Sequence, residues 1–290
     1  MTVTGFDPIA FKAMQRINWN AISAGWSSCQ EEFERGGAPV TARLLELGGV
    51  RAGHRVLDVA TGVGEPALTV AEVVGPAGYV VGVDLAPDMI AVARRRAGAV
   101  SNVEFRTGDL ESLEFGAGAF DVVLSRWGLM FAVDHVAAFR SLAHVLVPGG
   151  VLAAAVWGPW SQVPMMALGY QVLAARLELA PPPPGSPGPF SMADPGILEA
   201  ELAAAGFEDV TVTPFDVPFV LDSPERYVEF TRASTPPGLQ EALRARFGRV
   251  DDPETWAAVL AAVLPYRVAD GLVSLPSKAL LLRAAVPVGR

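Results

Sequence analysis

Apolar positions along this chain follow two different rhythms. Residues 6 to 48 place Phe11, Met14, Ile17, Trp19, Ile22 and Trp26, then Val40, Leu44, Leu45 and Leu47, at helical spacing. Recurrence every three to four residues marks the buried face of a helix. Gly36-Gly37 is expected to separate two helices, and Gly48-Gly49 to end the second. From His54 the rhythm changes. Residues 54–59, 79–84, 103–107, 120–124 and 151–157 read as strands. Helical stretches lie between them, at about 66–74, 87–97 and 134–146. Pro87 suits a first helical turn, where its missing N–H costs nothing. Gly75-Pro76-Ala77-Gly78 and Pro148-Gly149-Gly150 read as turns. Apolar strands alternating with helices predict a parallel sheet covered on both faces. Right-handed crossovers then restrict the topology.

The alternation stops after Trp157. Prolines 181 to 184, with Pro187 and Pro189, predict an exposed, stiff loop of polyproline character. A helix is expected over 195–205 and a strand over 208–219, carried by Val210, Val212 and Phe215. Pro214 and Pro218 interrupt that strand and lack a ladder donor, which puts it at a sheet edge. Short helices follow around Tyr227, Leu239 and Trp256, and residues 279–286 form the last long apolar strand. The expected division is a helical cap over 1–49, a core over 50–157, and a C-terminal part of the core over 158–290. Within that last part, 158–197 and 222–272 are candidate helical lid insertions. There is no internal repeat.

A chain of 290 residues with 51% hydrophobic and 18% charged side chains can bury one large core. Its net charge of −9 argues against wrapping a nucleic-acid backbone. No uncharged apolar run approaches the ~20 residues that span a bilayer. Asp7, Lys12 and Arg16 interrupt any signal-peptide core. The single cysteine, Cys29, excludes an intramolecular disulfide. His54, His135 and His144 have no zinc-type spacing with it, so no metal is expected. These features lead to the expectation of a cytoplasmic protein. Oligomeric state is not legible.

Ligands of open parallel sheets bind beyond the carboxyl ends of the strands. The first strand ends in Asp58, Ala60, Thr61, Gly62 and Gly64, spaced DxxxGxG. Glycines there let backbone approach a bulky polar ligand. The second strand ends in Asp84, an acid placed to accept both hydroxyls of a ribose. The two motifs in register resemble the class I S-adenosylmethionine-dependent methyltransferases, in the small-molecule branch near the ubiquinone and menaquinone biosynthesis enzymes. The likeness covers about residues 50 to 157, with a weaker match near the C-terminus.

That resemblance implies a Rossmann-like, seven-stranded, mostly parallel sheet in the order 3-2-1-4-5-7-6. It implies S-adenosyl-L-methionine as cofactor, S-adenosyl-L-homocysteine as product and a small-molecule acceptor. It places the loop from Asp58 to Gly64 against the methionine portion and ribose, with Asp58 or its water helping to hold the ammonium group. Leu85 and Met89 would flank the adenine. After strand three, Gly108 precedes Asp109, which would accept from the adenine amino group, and Leu110, whose backbone would support the ring. Ser125 and Arg126 would lie beneath the sulfonium. Trp26 and Trp127 would lie near the cofactor, because N-terminal helices in the family close over it.

Gly62-Val63-Gly64-Glu65-Pro66-Ala67 also satisfies the GxGxxA fingerprint of NAD(P)-dependent oxidoreductases, with Asp84 downstream. Asp58 argues against that reading, since its charge would repel a pyrophosphate. Gly108-Asp109-Leu110 has no role there either. Of the three histidines only His135 falls on the carboxyl-end side, at a helix start that favours a neutral ring. It is the candidate general base. Arg126 is the second candidate, pairing with a substrate carboxylate or with a neighbouring acid. The activity expected is methyl transfer to oxygen or carbon of a small, largely apolar metabolite, secondary metabolites included. A cyclase or a non-transferring relative of the same fold is the alternative.

Overall fold

The computed structural model describes residues 7–183 and 185–289. Residue 6 and Pro184 lie outside the described residues. Two helices open the chain, α1 (Pro8–Ser28) and α2 (Gln30–Gly48). Asp7 caps α1 by accepting the Ile9 and Ala10 N–H groups at 2.9 and 3.1 Å. Such a cap satisfies backbone donors that a helix start leaves free. Gly49 ends α2 in the left-handed region at φ 60°, as expected of a glycine stop.

The break between the two helices falls at Cys29, not at Gly36-Gly37. That glycine pair lies inside α2 for a packing reason. A Cβ at Gly36 would sit 2.3 Å from the Phe219 ring, and one at Gly37 would sit 2.7 Å from the Arg126 guanidinium. The glycines are close-approach surfaces, and tertiary packing overrides their poor helix propensity.

Seven strands form one sheet: β1 (Arg55–Val59), β2 (Tyr79–Asp84), β3 (Val103–Thr107), β4 (Phe120–Arg126), β5 (Leu146–Trp157), β6 (Glu208–Leu221) and β7 (Val273–Ala285). Their order is β3-β2-β1-β4-β5-β7-β6, the order the resemblance implies. β1 to β5 pair in parallel, and β7 runs antiparallel between β5 and β6. Crossovers α3 (Ala67–Val74), α4 (Pro87–Ala97) and α5 (His135–Val145) connect the parallel strands. The cis Glu65-Pro66 bond leads into α3.

Two strand boundaries differ from the expected ones. β5 starts at Leu146 and runs through Pro148-Gly149-Gly150, absorbed as an irregularity between the Phe120–Leu146 and Val122–Val151 pairs. β7 starts at Val273, but β5 covers only Ala279 to Ala285. Residues 273–278 pair with β6 as a ribbon that extends beyond β5, with an isolated bridge from Val273 to Arg267. Burial alternates there and becomes nearly continuous once β5 joins. β6 pairs with β7 only and carries Pro214 and Pro218 at the sheet edge, as expected.

The C-terminal insertions hold α6 (Pro164–Arg176), α7 (Pro195–Ala204), α8 (Pro224–Ser234), α9 (Pro237–Phe247) and α10 (Pro253–Val263). α6 packs on α10, and α8 packs on α1. One large core surrounds the sheet. A separate small cluster of Ile22, Val63, Ala86, Met89 and Val92, flanked by Trp19 and Trp26, fastens α1 over the loops after β1 and β2. Among the described residues, no helix is long and apolar enough to cross a membrane.

Candidate active site

Three loops meet beyond the carboxyl ends of β1, β2 and β3. After β1 the chain turns sharply: Ala60, Gly62 and Gly64 have φ of 57°, 55° and 107°. The loops after β1 and β4 touch so closely that a Cβ at Gly128 would sit 2.2 Å from that of Ala60. Among the described residues, nothing lies within 4 Å of where a Gly62 Cβ would be. That space is open to a ligand.

Asp84 closes β2. One carboxylate oxygen accepts the Gly62 N–H at 2.9 Å, the other the Ala86 N–H at 2.8 Å. Burial raises the pKa of this carboxyl against the pull of those backbone donors. Each oxygen keeps a further acceptor site. Asp109 follows β3. Its Oδ1 accepts the Glu111 N–H at 2.9 Å, and its Oδ2 lies 2.7 Å from Lys12 Nζ. Lys12 also reaches Glu111 Oε2 at 3.1 Å.

These groups line one cleft together with Leu85, Met89, Gly108, Leu110, Trp19, Trp26, Trp127 and Phe131. Among the described residues, its walls come from residues 12 to 132. The described residues of 158–197 and 222–272 thus contribute no wall to it; the roof is α1. Trp19 meets Trp26 and Phe131 edge-on at 5.9 and 5.3 Å. Trp127 stacks on Trp157 at 4.4 Å and holds φ at 62°, an unusual backbone for a bulky residue. Its indole N–H is buried with no hydrogen-bond partner.

Of the residues the sequence points to, Trp26, Ala60, Gly62, Asp84, Leu85, Met89, Gly108, Asp109, Leu110 and Trp127 line the cleft. Others support it from behind. Asp58 is fully buried; its Oδ2 accepts from Thr61 Oγ1 at 2.6 Å and Ala67 N at 3.1 Å, while Oδ1 has no partner. Burial pushes its carboxyl up to about 7, countered by Thr61 and the Arg126 charge. Thr61 is thereby committed to Asp58. Gly64 faces Leu68, Ala93 and Phe105 and serves helix–strand packing. Ser125 donates to the Val59 carbonyl at 2.9 Å and ties β4 to β1.

The two candidate catalytic side chains are engaged elsewhere. Arg126 forms a bidentate pair with Glu34 of α2 and donates to Thr41 Oγ1 at 2.9 Å. It has the neighbouring acid, not a free face. His135 Nδ1 lies 3.0 Å from Glu201 Oε2, and its Nε2 lies 3.3 Å from Ser191 Oγ. Both ring nitrogens face structural partners, and the ring is not on the cleft wall. Helix α7 supplies Glu201, a contact that strand order alone does not reveal.

Lys12, Gln15, Val83, Glu111, Gly128 and Ala132 line the cleft without having been anticipated. Trp19, one of the N-terminal aromatics that could wall an acceptor pocket or plug the core, also lines it. Lys12, Gln15, Trp19, Ile22 and Trp26 stand three and four residues apart on the face of α1 turned to the cleft. Of the apolar stripe expected to be buried, Met14 and Ile17 instead turn outward, because the cleft faces the polar positions beside them. Among the described residues, no cluster of His, Cys, Asp or Glu gathers to hold a metal.

The fold and this cleft define a Rossmann-like nucleoside-binding domain. A methyltransferase-domain family model matches residues 56–150. The ubiquinone/menaquinone biosynthesis C-methyltransferase of Ectopseudomonas mendocina is 35% identical over 191 residues, 58% of this chain and 70% of that protein. The enzyme of the same name from Pseudomonas putida strain F1 is 43% identical over 111 residues, 37% of this chain. The chain spans under half of that relative's length, 43%. Among solved structures, the [4+2]-cyclase SpnF superposes with a TM-score of 0.53 at 25% identity, covering 87% of this chain and 81% of its own. The chain belongs to the class I S-adenosylmethionine-dependent methyltransferases.

Proposed function

We propose that this protein binds S-adenosyl-L-methionine along the cleft and transfers its methyl group to oxygen or carbon of a small, largely apolar metabolite. The observation that carries the reading is the order of groups along one wall: Gly62, then Asp84, then Asp109, at the ends of adjacent strands. The donor set fits the cofactor. Asp84 has acceptor sites left for two ribose hydroxyls, and Asp109 Oδ2 has room for an adenine amino group beside Lys12. The unpartnered Oδ1 of buried Asp58 suits an ammonium group or its water. When bound, the cofactor supplies a methyl group already activated by a sulfonium.

The chain's own residues have the tasks of binding and alignment, which alone can contribute much of the acceleration. Asp84 and the Gly62 backbone fix the sugar. Asp109 and Leu110 orient the base. Trp19, Trp26, Phe131 and Trp127 give the cleft an apolar aromatic lining suited to excluding water and to a flat, apolar acceptor. The name of the two pseudomonad relatives favours carbon methylation of a quinone precursor.

The test is binding and turnover. S-adenosylhomocysteine should raise the melting temperature of the full chain, and Asp84→Asn should abolish that rise. No binding of labelled S-adenosylmethionine by the unaltered chain would sink the proposal. The likeness to a [4+2]-cyclase supports a second reading, cofactor-dependent cyclisation without transfer. Stoichiometric release of S-adenosylhomocysteine with product separates the two.

A further inference from the structure

Helix α1 is held to the cleft by different forces along its length. Its C-terminal half docks through Ile22, which joins Val63, Ala86, Met89 and Val92 in a cluster separate from the main core. Its N-terminal half turns Ile9, Met14 and Ile17 outward, 81%, 48% and 60% exposed. Burial therefore does less to hold this half. Lys12 sits within it. The ammonium spans Asp109 Oδ2 at 2.7 Å and Glu111 Oε2 at 3.1 Å. The opposite oxygens are fixed by backbone: Asp109 Oδ1 accepts from Glu111 N, and Glu111 Oε1 accepts from Val133 N at 2.7 Å. Two carboxylates on the cleft wall are thus held close together, and Lys12 supplies the charge between them. Without it they would repel and turn apart.

We propose that Lys12 is a positioning residue that holds the Asp109 carboxylate in place and clasps α1 over the bound nucleoside, so that ligand release requires breaking both Lys12 pairs. The ligand half of this inference rests on the cofactor assignment above; the clasp itself does not. The side chains are 28%, 26% and 12% exposed, so the pairs are partly screened and their strength depends on salt.

The experiment uses the full chain and the variants Lys12→Met and Lys12→Arg. Amide hydrogen exchange of the ligand-free proteins reads the clasp. Stopped-flow tryptophan fluorescence, from low to high salt, reads release of S-adenosylhomocysteine. Lys12→Met is expected to speed exchange in the first three turns of α1, and ligand release, by roughly three- to tenfold, with sheet amides unchanged. It should also flatten the salt dependence of release. Lys12→Arg should restore unaltered behaviour. Unaltered exchange and release in Lys12→Met would overturn the proposal, as would a change in melting temperature alone. Faster α1 exchange with no ligand binding by the unaltered chain would uphold the clasp and reject the cofactor assignment.

Discussion

Replacing Asp58 by asparagine should stabilise the ligand-free protein above neutral pH. Asp58 is fully buried at the end of β1. Burial lifts its carboxyl from 3.8 to about 7, more than Thr61, Arg126 and the Ala67 N–H pull it down. The folded pKa exceeds the unfolded one, so between these values the folded state binds more protons and stability falls as pH rises. Below 3.8 the penalty is absent; above about 7 it is complete. The gap corresponds to about 4 kcal/mol. Asparagine keeps an oxygen for Thr61 and Ala67 but buries an amide N–H where Oδ1 now lacks a partner, which takes back about 1–3 kcal/mol. The net gain at pH 8 is about 1–3 kcal/mol, or on the order of 2–6 °C in melting temperature. Calorimetric melts of both proteins from pH 4 to pH 9 measure it. Near pH 4 the variant should melt lower, by the cost of its buried amide, and the two curves should cross so that it melts higher above pH 7. A variant that melts below the unaltered protein at pH 8, with the same pH slope, would refute the reasoning. Cofactor affinity should move the other way, because the carboxylate that burdens the empty fold is the one that suits an ammonium.

Further outcomes follow from particular contacts. Glu34→Ala should destabilise by about 3 kcal/mol in denaturant melts, since it strands the buried guanidinium of Arg126, whose side chain is 4% exposed. Arg126→Met should lose less, because Glu34 is 25% exposed and can rehydrate. Gly36→Ala should destabilise by about 1–3 kcal/mol despite alanine's better helix propensity, because its Cβ would meet the Phe219 ring at 2.3 Å. Greater stability would count against the close-approach argument. His135→Ala should lower the melting temperature by breaking the Glu201 and Ser191 contacts, while the pH profile of turnover keeps its shape.

Much of the fold was legible because central strands are buried on both faces. A strand so buried must be almost continuously apolar, which is why 79–84 was read with the bounds that β2 has. The edge position of β6 was legible for the converse reason: Pro214 and Pro218 cannot donate to a second neighbour. Glycine is ambiguous in a sequence. Gly49 ends a helix through its left-handed backbone, whereas Gly36-Gly37 continue one so that a ring and a guanidinium can approach.

The candidate site divides along the same line. Sequence alone determined which groups stand at the strand ends, because a parallel sheet delivers those ends to one edge whatever else the chain does. Asp84, Asp109 and Gly62 reach the cleft for that reason. Only the tertiary structure decided what distant elements do to them. It took Arg126 for Glu34 and His135 for Glu201, laid α1 across the cleft, and set Lys12 beside Asp109, 97 residues away. Such contacts come from helix packing and side-chain reach across long sequence separations, and no local periodicity encodes them.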